Sequence, residues 1–512
     1  MVVISVFKDA ISHIEFQSFL IAKLLLYYLK PHFKKIVINR AVIVYKVFLA
    51  DLTPAREILK STYNPRGETP WDPVLLFRSY WLMCQYGDRG SISKWVATLK
   101  SEPFWAVVSG FEPDNVPGVG TFYDFEDRLL DFDKGQRVKR TKTMRPSLFK
   151  PKEKFKKNQK KPAKTGIVER LIERIIRDED KPQSLKANTL QKIFKACFIT
   201  PSAHKGLLGS LDKLILAGDS IIFNSGGSSY GIKECDCWET KGLFLCSCKR
   251  RYSNPDANWG WDSHREKYVY GYSNYTFVAA DSPHDLPLYS TLAQGSRHDS
   301  VVLPYALYEM QLLNPEFNID KIVLDSAHDN YPTYELLEHW NIEPFISLNE
   351  RNSGNLKYDP PLKIDENGVP ICKGGFKMVN WGYQKKRFRI KWRCPHVVLK
   401  SCNCPHFNSC SDSDYGRTIY TKSRWDKRIF TATPRGSTKW KKTMNKRTSS
   451  ERRNSRVKVQ YSLERDGVRS KSRWLIRTIM RDGALHADAW VKEAEMDAES
   501  WVLSWFNEQA AA

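Results

Sequence analysis

Between residues 213 and 348 short apolar runs and helical patterns follow one another in an order that points to a mixed sheet. KLILAGD (213–219) reads as a buried strand closed by an acid. KYVYGYSNYTFVAAD (267–281) has the aromatic and β-branched content of a strand, and LPLYSTLA (286–293) reads as a third. SVVLPYALYEMQLL (300–313) has helical spacing, with Asp299 placed to cap it. DKIVLDSAHD (320–329) is a short buried strand running into an acidic turn. A helix, YELLEHW (334–340), and a strand, EPFISL (343–348), complete the series. Three strands followed by alternating helix and strand predict an α/β fold built on a mixed sheet.

The flanking segments differ in character. Residues 1–131 read as a helical N-terminal domain: WDPVLLFRSYWLMCQYG (71–87) opens with Asp72 and Pro73 as N-cap and first helical residue, and SISKWVATL (91–99) reads as another helix. PDNVPGVGTF (113–122) is turn chemistry. Residues 132–165 form a basic linker; positions 134–164 hold fourteen Lys or Arg against the single acid Glu153 and cannot build a core. The sheet region spans 166–349, starting with a helix whose apolar stripe is Val168, Leu171, Ile172, Ile175 and Ile176. A β-rich, Cys-rich insertion at 350–430 interrupts it. Residues 431–475 return to helix, and 476–512 form a C-terminal tail expected to carry one amphipathic helix over 484–506.

Charge narrows the partner. The chain of 512 residues has a net charge of +24, clustered rather than scattered, which suits a polyanion such as DNA. The most apolar stretch, FQSFLIAKLLLYYL (16–29), contains Lys23 and falls short of the ~20 residues needed to span a bilayer, so no membrane role is expected. MVVISVFKDA has no basic segment of a signal peptide. These features point to a cytoplasmic protein, associated with the nucleoid, whose eleven cysteines are thiols or metal ligands.

Two acids end apolar strands: Asp219 after LILAG and Asp325 after IVL. That position faces the crevice where ligands bind in α/β sheets, although turn and cap roles suit Asp equally. Asp329 is better explained as a helix N-terminal residue. A third acid, Glu451, sits alone in NKRTSSERRNSRVK (445–458), among six Lys or Arg. TSSE (448–451) matches a capping box with Thr448 as N-cap, and an i,i+4 ion pair with Arg447 is the other local explanation. At ~100° per residue, Arg447, Glu451, Asn454 and Lys458 fall within about 60° of one another, with Arg452, Arg453 and Arg456 on the far side. Such a face suits a carboxylate on a divalent metal flanked by cations on phosphates; two-metal phosphoryl transfer needs hard oxygen ligands with the ions roughly 4 Å apart.

Arg447, Glu451 and Lys458 reproduce the R-E-K part of the Y-R-E-K signature, so the chain resembles the bacterial insertion-sequence DDE transposases. LILAGDS and IVLDSAHD resemble the family's first and second Asp motifs. WDPVLLFRSYWL with VVSGFEPDNVPGVGTFYDFEDRL (71–129), WGWDSHREKYVYGY (259–272) and RWDKRIF (424–430) resemble further blocks, in order, from about 70 to 490. Met444 stands at the signature Tyr position, and residues 1–50 match no block. The resemblance implies a ribonuclease-H-like catalytic domain with an insertion before the Glu-bearing helix. It also implies a catalytic, metal-binding triad of Asp219, Asp325 and Glu451 holding Mg²⁺ or Mn²⁺, with Arg447 and Lys458 on DNA phosphates. The implied activity is cleavage at the element's terminal inverted repeats and joining of the 3′-OH to target DNA, by a homodimer or larger synaptic complex. An inactive DNA-binding relative and a ribonuclease-H-like nuclease without strand transfer are the alternatives.

Cys235, Cys237, Cys246 and Cys248 form C-x-C, eight residues, C-x-C. If WETKGLFL folds as a hairpin, four thiolates meet and either bind Zn²⁺ tetrahedrally or stand as free thiols. Cys394, Cys402, Cys404 and Cys410, with His396, His406 and Cys372 nearby, form a second group of irregular spacing. Either site would be structural.

Overall fold

Leu214–Asn224 (β1) is the central strand of a six-stranded mixed sheet. The computed structural model describes residues 7–64, 67–130, 142–144, 165–177, 188–243, 246–263, 265–349, 362–400 and 402–511. Nearly all of the basic linker expected at 132–165 lies outside them. The other strands are Asn258–Asp262 (β2), Lys267–Ala279 (β3), Pro287–Gln294 (β4), Ile319–Leu324 (β5) and Glu343–Ile346 (β6). β3 runs antiparallel to β1, and its other edge pairs with β2 and then β4. On the far side β1 is parallel to β5, and β5 to β6. The α/β class and the mixed sheet expected from the apolar runs are therefore present. β1 is longer than expected: it continues five residues past Asp219, because Ser220 to Asn224 keep pairing with β3.

Two helices make the parallel crossovers, Asp299–Leu313 (α1) and Tyr331–His339 (α2). Asp299 is not the cap of α1. The His298 side chain accepts from the Ser300 amide, and Asp299 is the first helical residue. Asp329 does not begin α2, whose cap is Asn330: it is buried, accepts from the Tyr334 hydroxyl at 3.1 Å and the Asn349 amide at 2.8 Å, and faces Arg428. It thereby ties the return of the insertion to α2. The described part of the insertion contains a three-stranded antiparallel sheet, Val379–Gln384, Arg389–Arg393 and Thr418–Lys422.

Thr448–Ser455 (α3) lies across β1 and β3, and Lys471–Lys492 (α4) packs on β4. The single helix expected over 484–506 is two: α4 and Ala498–Ala511 (α5). α4 is buried along most of its length because it is wedged between the sheet and the N-terminal helices Ala41–Leu49 and Pro73–Tyr86. α5 packs on the first of these, with Tyr45 and Trp501 stacked at 4.4 Å. One continuous core runs from the N-terminal helices through the sheet to α5. Among the described residues no helix is long and apolar enough to cross a membrane.

The junction of α3, α4 and the sheet is held by a buried ion pair. Arg453 and Asp482 are both fully buried, with Nε donating to Asp482 at 2.9 Å. The same guanidinium donates to Asn274 on β3 at 3.0 Å and to Ser290 on β4 at 3.3 Å, and Ser290 donates to Asp482 at 2.6 Å. Replacing Arg453 by Ala strands a buried carboxylate and is expected to cost about 3–5 kcal/mol in urea unfolding. A loss in the range of an exposed pair, about 0–1 kcal/mol, would contradict this role.

Another buried titratable group makes the fold sensitive to acid. His486 on α4 accepts from Ser202 at 2.7 Å and donates to the Pro287 carbonyl at 2.8 Å. Burial pulls its pKa from 6.5 to about 4. The unfolded chain binds this proton first, so the neutral imidazole's contribution is complete above pH 6.5. It is lost as pH falls towards 4, by about 3 kcal/mol in all. His486→Gln should flatten the pH dependence of unfolding free energy across that window; an unchanged slope would assign the acid sensitivity elsewhere.

Candidate active site

The parallel register of β1 and β5 brings two of the expected acids together. Ala217 pairs with Val323, so Asp219 and Asp325, each two residues further, come side by side on the same face. Asp325 Oδ1 accepts from the Ala327 amide at 3.1 Å and from His328 Nδ1 at 2.7 Å. His328 is fully buried, and its Nε2 lies 3.0 Å from the Tyr275 hydroxyl. Gly218 makes room for this arrangement: a Cβ there would lie 2.7 Å from the Tyr275 hydroxyl and 2.8 Å from Leu324.

A further acid joins them. Ser220 on β1 donates to Asp299 Oδ1 at 2.7 Å. Burial, reinforced by Asp299 and Asp325, pushes the Asp219 carboxyl up to about 7. Burial raises Asp299 as well, with Asp325 adding to it. Asp325 goes the other way: burial opposes ionisation, but the hydrogen bond and charge of His328, the Ala327 amide and Arg447 together hold it below the usual carboxylate range. Burial acts to lower His328, and the hydrogen bond to Asp325 with the charges of Asp325, Asp299 and Asp219 outweighs it, so the imidazole is held above its ordinary value. Three carboxyls here oppose one another's ionisation, an environment that a divalent cation with hard oxygen ligands relieves.

Helix α3 brings the third expected acid over this face. Asn454 Nδ2 donates to Asp219 Oδ2 at 3.1 Å. Its amide oxygen accepts from Arg453 at 3.0 Å, so the buried ion pair also orients the group that meets Asp219. Glu451 lies one turn earlier on the same side of the helix. Its carboxylate is exposed and paired with Arg447 at 2.7 Å. The capping box is not formed: Thr448 lies inside the helix, its hydroxyl donates to the Asn445 carbonyl at 2.9 Å, and Arg447 occupies the N-cap. The i,i+4 ion pair is the local interaction that exists.

The helical projection fails at Lys458. After Ser455 the backbone passes into a π-helical turn, Arg456–Gln460, and Lys458 faces Glu464 at 3.4 Å and Asp262 at 3.8 Å. Arg452 chelates Asp285 and Arg456 donates to Asp488 at 3.0 Å, so the cations of the far side anchor the helix.

Among the described residues, one set of three or more His, Cys, Asp or Glu has all its ligand atoms within 4.8 Å of one another: Cys235, Cys237, Cys246 and Cys248. Asp219, Asp325 and Glu451 are not gathered that tightly, and Glu451 is turned to Arg447. The sulfurs of Cys235 and Cys246 are 3.4 Å apart, those of Cys237 and Cys248 3.3 Å. The described part of the segment between the pairs starts as a helical turn, Cys237–Lys241, rather than as a strand, and is ended by Gly242 in the left-handed conformation. Four converging thiols can hold a metal ion.

Asp299 and His328 were not expected as site residues. Asp299 had a ready explanation as a helix cap, and His328 lies three residues after Asp325, the one signal that placed it on the same turn. Asn454 was legible through the helical projection. The chain matches no protein-family model, no characterised protein and no solved structure.

His328→Phe preserves bulk while leaving Asp325 and the Tyr275 hydroxyl without their partner, and should lower stability by about 1–3 kcal/mol in chemical denaturation. A stability equal to wild type would show that the imidazole contributes nothing to holding Asp325.

Proposed function

We propose that this chain is a DDE transposase with a ribonuclease-H-like catalytic core, acting on the double-stranded ends of its element. The observation that carries the reading is the placing of Asp219 on β1 beside Asp325, which directly follows the parallel strand β5, beneath a helix that presents Asn454 and Glu451. The succession of four strands that pair antiparallel, β1 to β4, and two that run parallel to β1, β5 and β6, supports the same reading. Asp219, Asp325 and Glu451 would hold Mg²⁺ or Mn²⁺, which when bound supplies Lewis-acid activation of the attacking oxygen and neutralises charge at the phosphate.

The chain's own residues position and balance these groups. His328 fixes the orientation of Asp325, Asn454 fixes Asp219, and Arg453 fixes Asn454. Arg447 holds Glu451 until that carboxylate turns to the other two acids; its guanidinium is then free for a DNA phosphate. Lys458, already among acids, is a weaker candidate for that contact. The basic segment 132–165 and the N-terminal helices supply non-specific affinity for duplex DNA, which makes binding strongly salt-dependent. Paired cutting of two ends calls for a dimer or larger complex, at work on DNA in the cytoplasm. Cys235, Cys237, Cys246 and Cys248 would bind a structural Zn²⁺. A DNA-binding relative without catalysis is favoured by one observation, the ion pair that keeps Glu451 on Arg447.

The test is end cleavage and strand transfer in Mg²⁺ on DNA carrying the element's inverted repeats. Glu451→Gln and Asp219→Asn should each lose about 10³-fold or more in both steps while still binding the DNA. Variants as active as wild type would remove these residues from the chemistry. Wild-type protein that binds but never cuts in any divalent metal would favour the non-catalytic relative, and cutting without joining the nuclease.

A further inference from the structure

The insertion has more connection than core. Its own hydrophobic cluster contains three buried residues, Met378, Ile390 and Trp392. Between Leu399 and Thr418 the described chain has one short helix, Phe407–Cys410. A unit with so small an apolar core needs cross-links to keep one conformation.

The cysteines of this region converge from four separate segments. Cys372 begins a tight turn in which its carbonyl accepts from the Gly375 amide at 2.9 Å. Cys394 follows the strand Arg389–Arg393 and caps the helix Pro395–Leu399. Cys404 lies in the next loop, and Cys410 ends the short helix. All four line a single cavity, closed otherwise by Gly374, Met378, Phe407, Ser411, Gly416 and Arg417. The cavity is small, with room for about one water-sized atom. Two glycines permit the approach: a Cβ at Gly374 would lie 2.9 Å from the Cys404 sulfur, and one at Gly416 2.6 Å from Cys394 Cβ. His396 donates to the Cys402 carbonyl and its ring lies tilted against Phe407 at 4.4 Å, holding the Cys402–Cys404 segment in place. The four sulfurs are more widely spaced than those of Cys235, Cys237, Cys246 and Cys248, so occupancy draws the loop inward.

We propose that Cys372, Cys394, Cys404 and Cys410 bind a second zinc ion, which staples the insertion. An all-thiolate donor set selects a soft or borderline metal, and tetrahedral coordination suits Zn²⁺. This site is independent of the acids and of any activity on DNA.

The test is metal content of the full chain, purified without chelator and desalted. Wild type should carry two zinc ions per chain, and Cys372→Ser with Cys404→Ser one. Cys235→Ser with Cys237→Ser should retain one, and cobalt added to this variant after removal of its zinc should give the absorption of a tetrahedral thiolate site. That spectrum also decides the matter if the Cys372/Cys404 variant precipitates. Zinc content unchanged by the Cys372/Cys404 substitutions, or no thiolate–cobalt absorption in the Cys235/Cys237 variant, would overturn the proposal. So would loss of these four thiols to disulfides in the protein as isolated.

Discussion

The buried pair of Arg453 and Asp482 is the interaction on which the rest of this structure depends. Two charges without solvent access are tolerated only when every remaining hydrogen-bonding position is filled. Asn274, Ser290 and Asn454 fill them, and these residues come from β3, β4 and α3. The pair therefore fixes the height and rotation of α3 on the sheet and seats α4 behind it. Because α4 also packs on the N-terminal helices, the same contact links the two ends of the chain to its centre. It reaches the candidate site through one bond, from the Asn454 amide to Asp219.

The site itself is an electrostatic problem held in place by that frame. Asp219, Asp299 and Asp325 lie close enough to disfavour one another's ionisation, and His328 and Arg447 offset part of their repulsion. His328 sits below the acids and holds Asp325 ionised. Arg447 sits above, engaged with Glu451. In the proposed function a divalent cation among the carboxylates would compete with Arg447 for Glu451, and that competition would free a guanidinium at the point where a phosphate would bind.

Much of the sheet was legible because its strands are apolar runs bounded by acids, and period and length decide such segments. Asp219 was misjudged as a strand end because Asp disfavours strands; pairing with β3 overrides that preference for five further residues. The face of α3 was legible as far as Asn454 and then lost, since a projection at ~100° per residue does not survive a π-helical turn. The break between α4 and α5 has the same kind of cause: the apolar pattern runs on, but each helix packs against different neighbours. The cap at His298 is a local bond to the Ser300 amide that a histidine seldom supplies, and the full role of His328 depends on Tyr275, 53 residues away, which no local pattern reports. Arg453 read as one cation on the outward side of a basic helix, and only its partner 29 residues away makes it the anchor.

The most direct measurement is a crystal structure of the full chain equilibrated with Mn²⁺, using the ion's anomalous scattering. The account predicts manganese bound by the Asp219 and Asp325 carboxylates, with Glu451 turned away from Arg447 and towards the ion. Saturating Mn²⁺ with no anomalous density at these acids, and Glu451 still paired with Arg447, would contradict it.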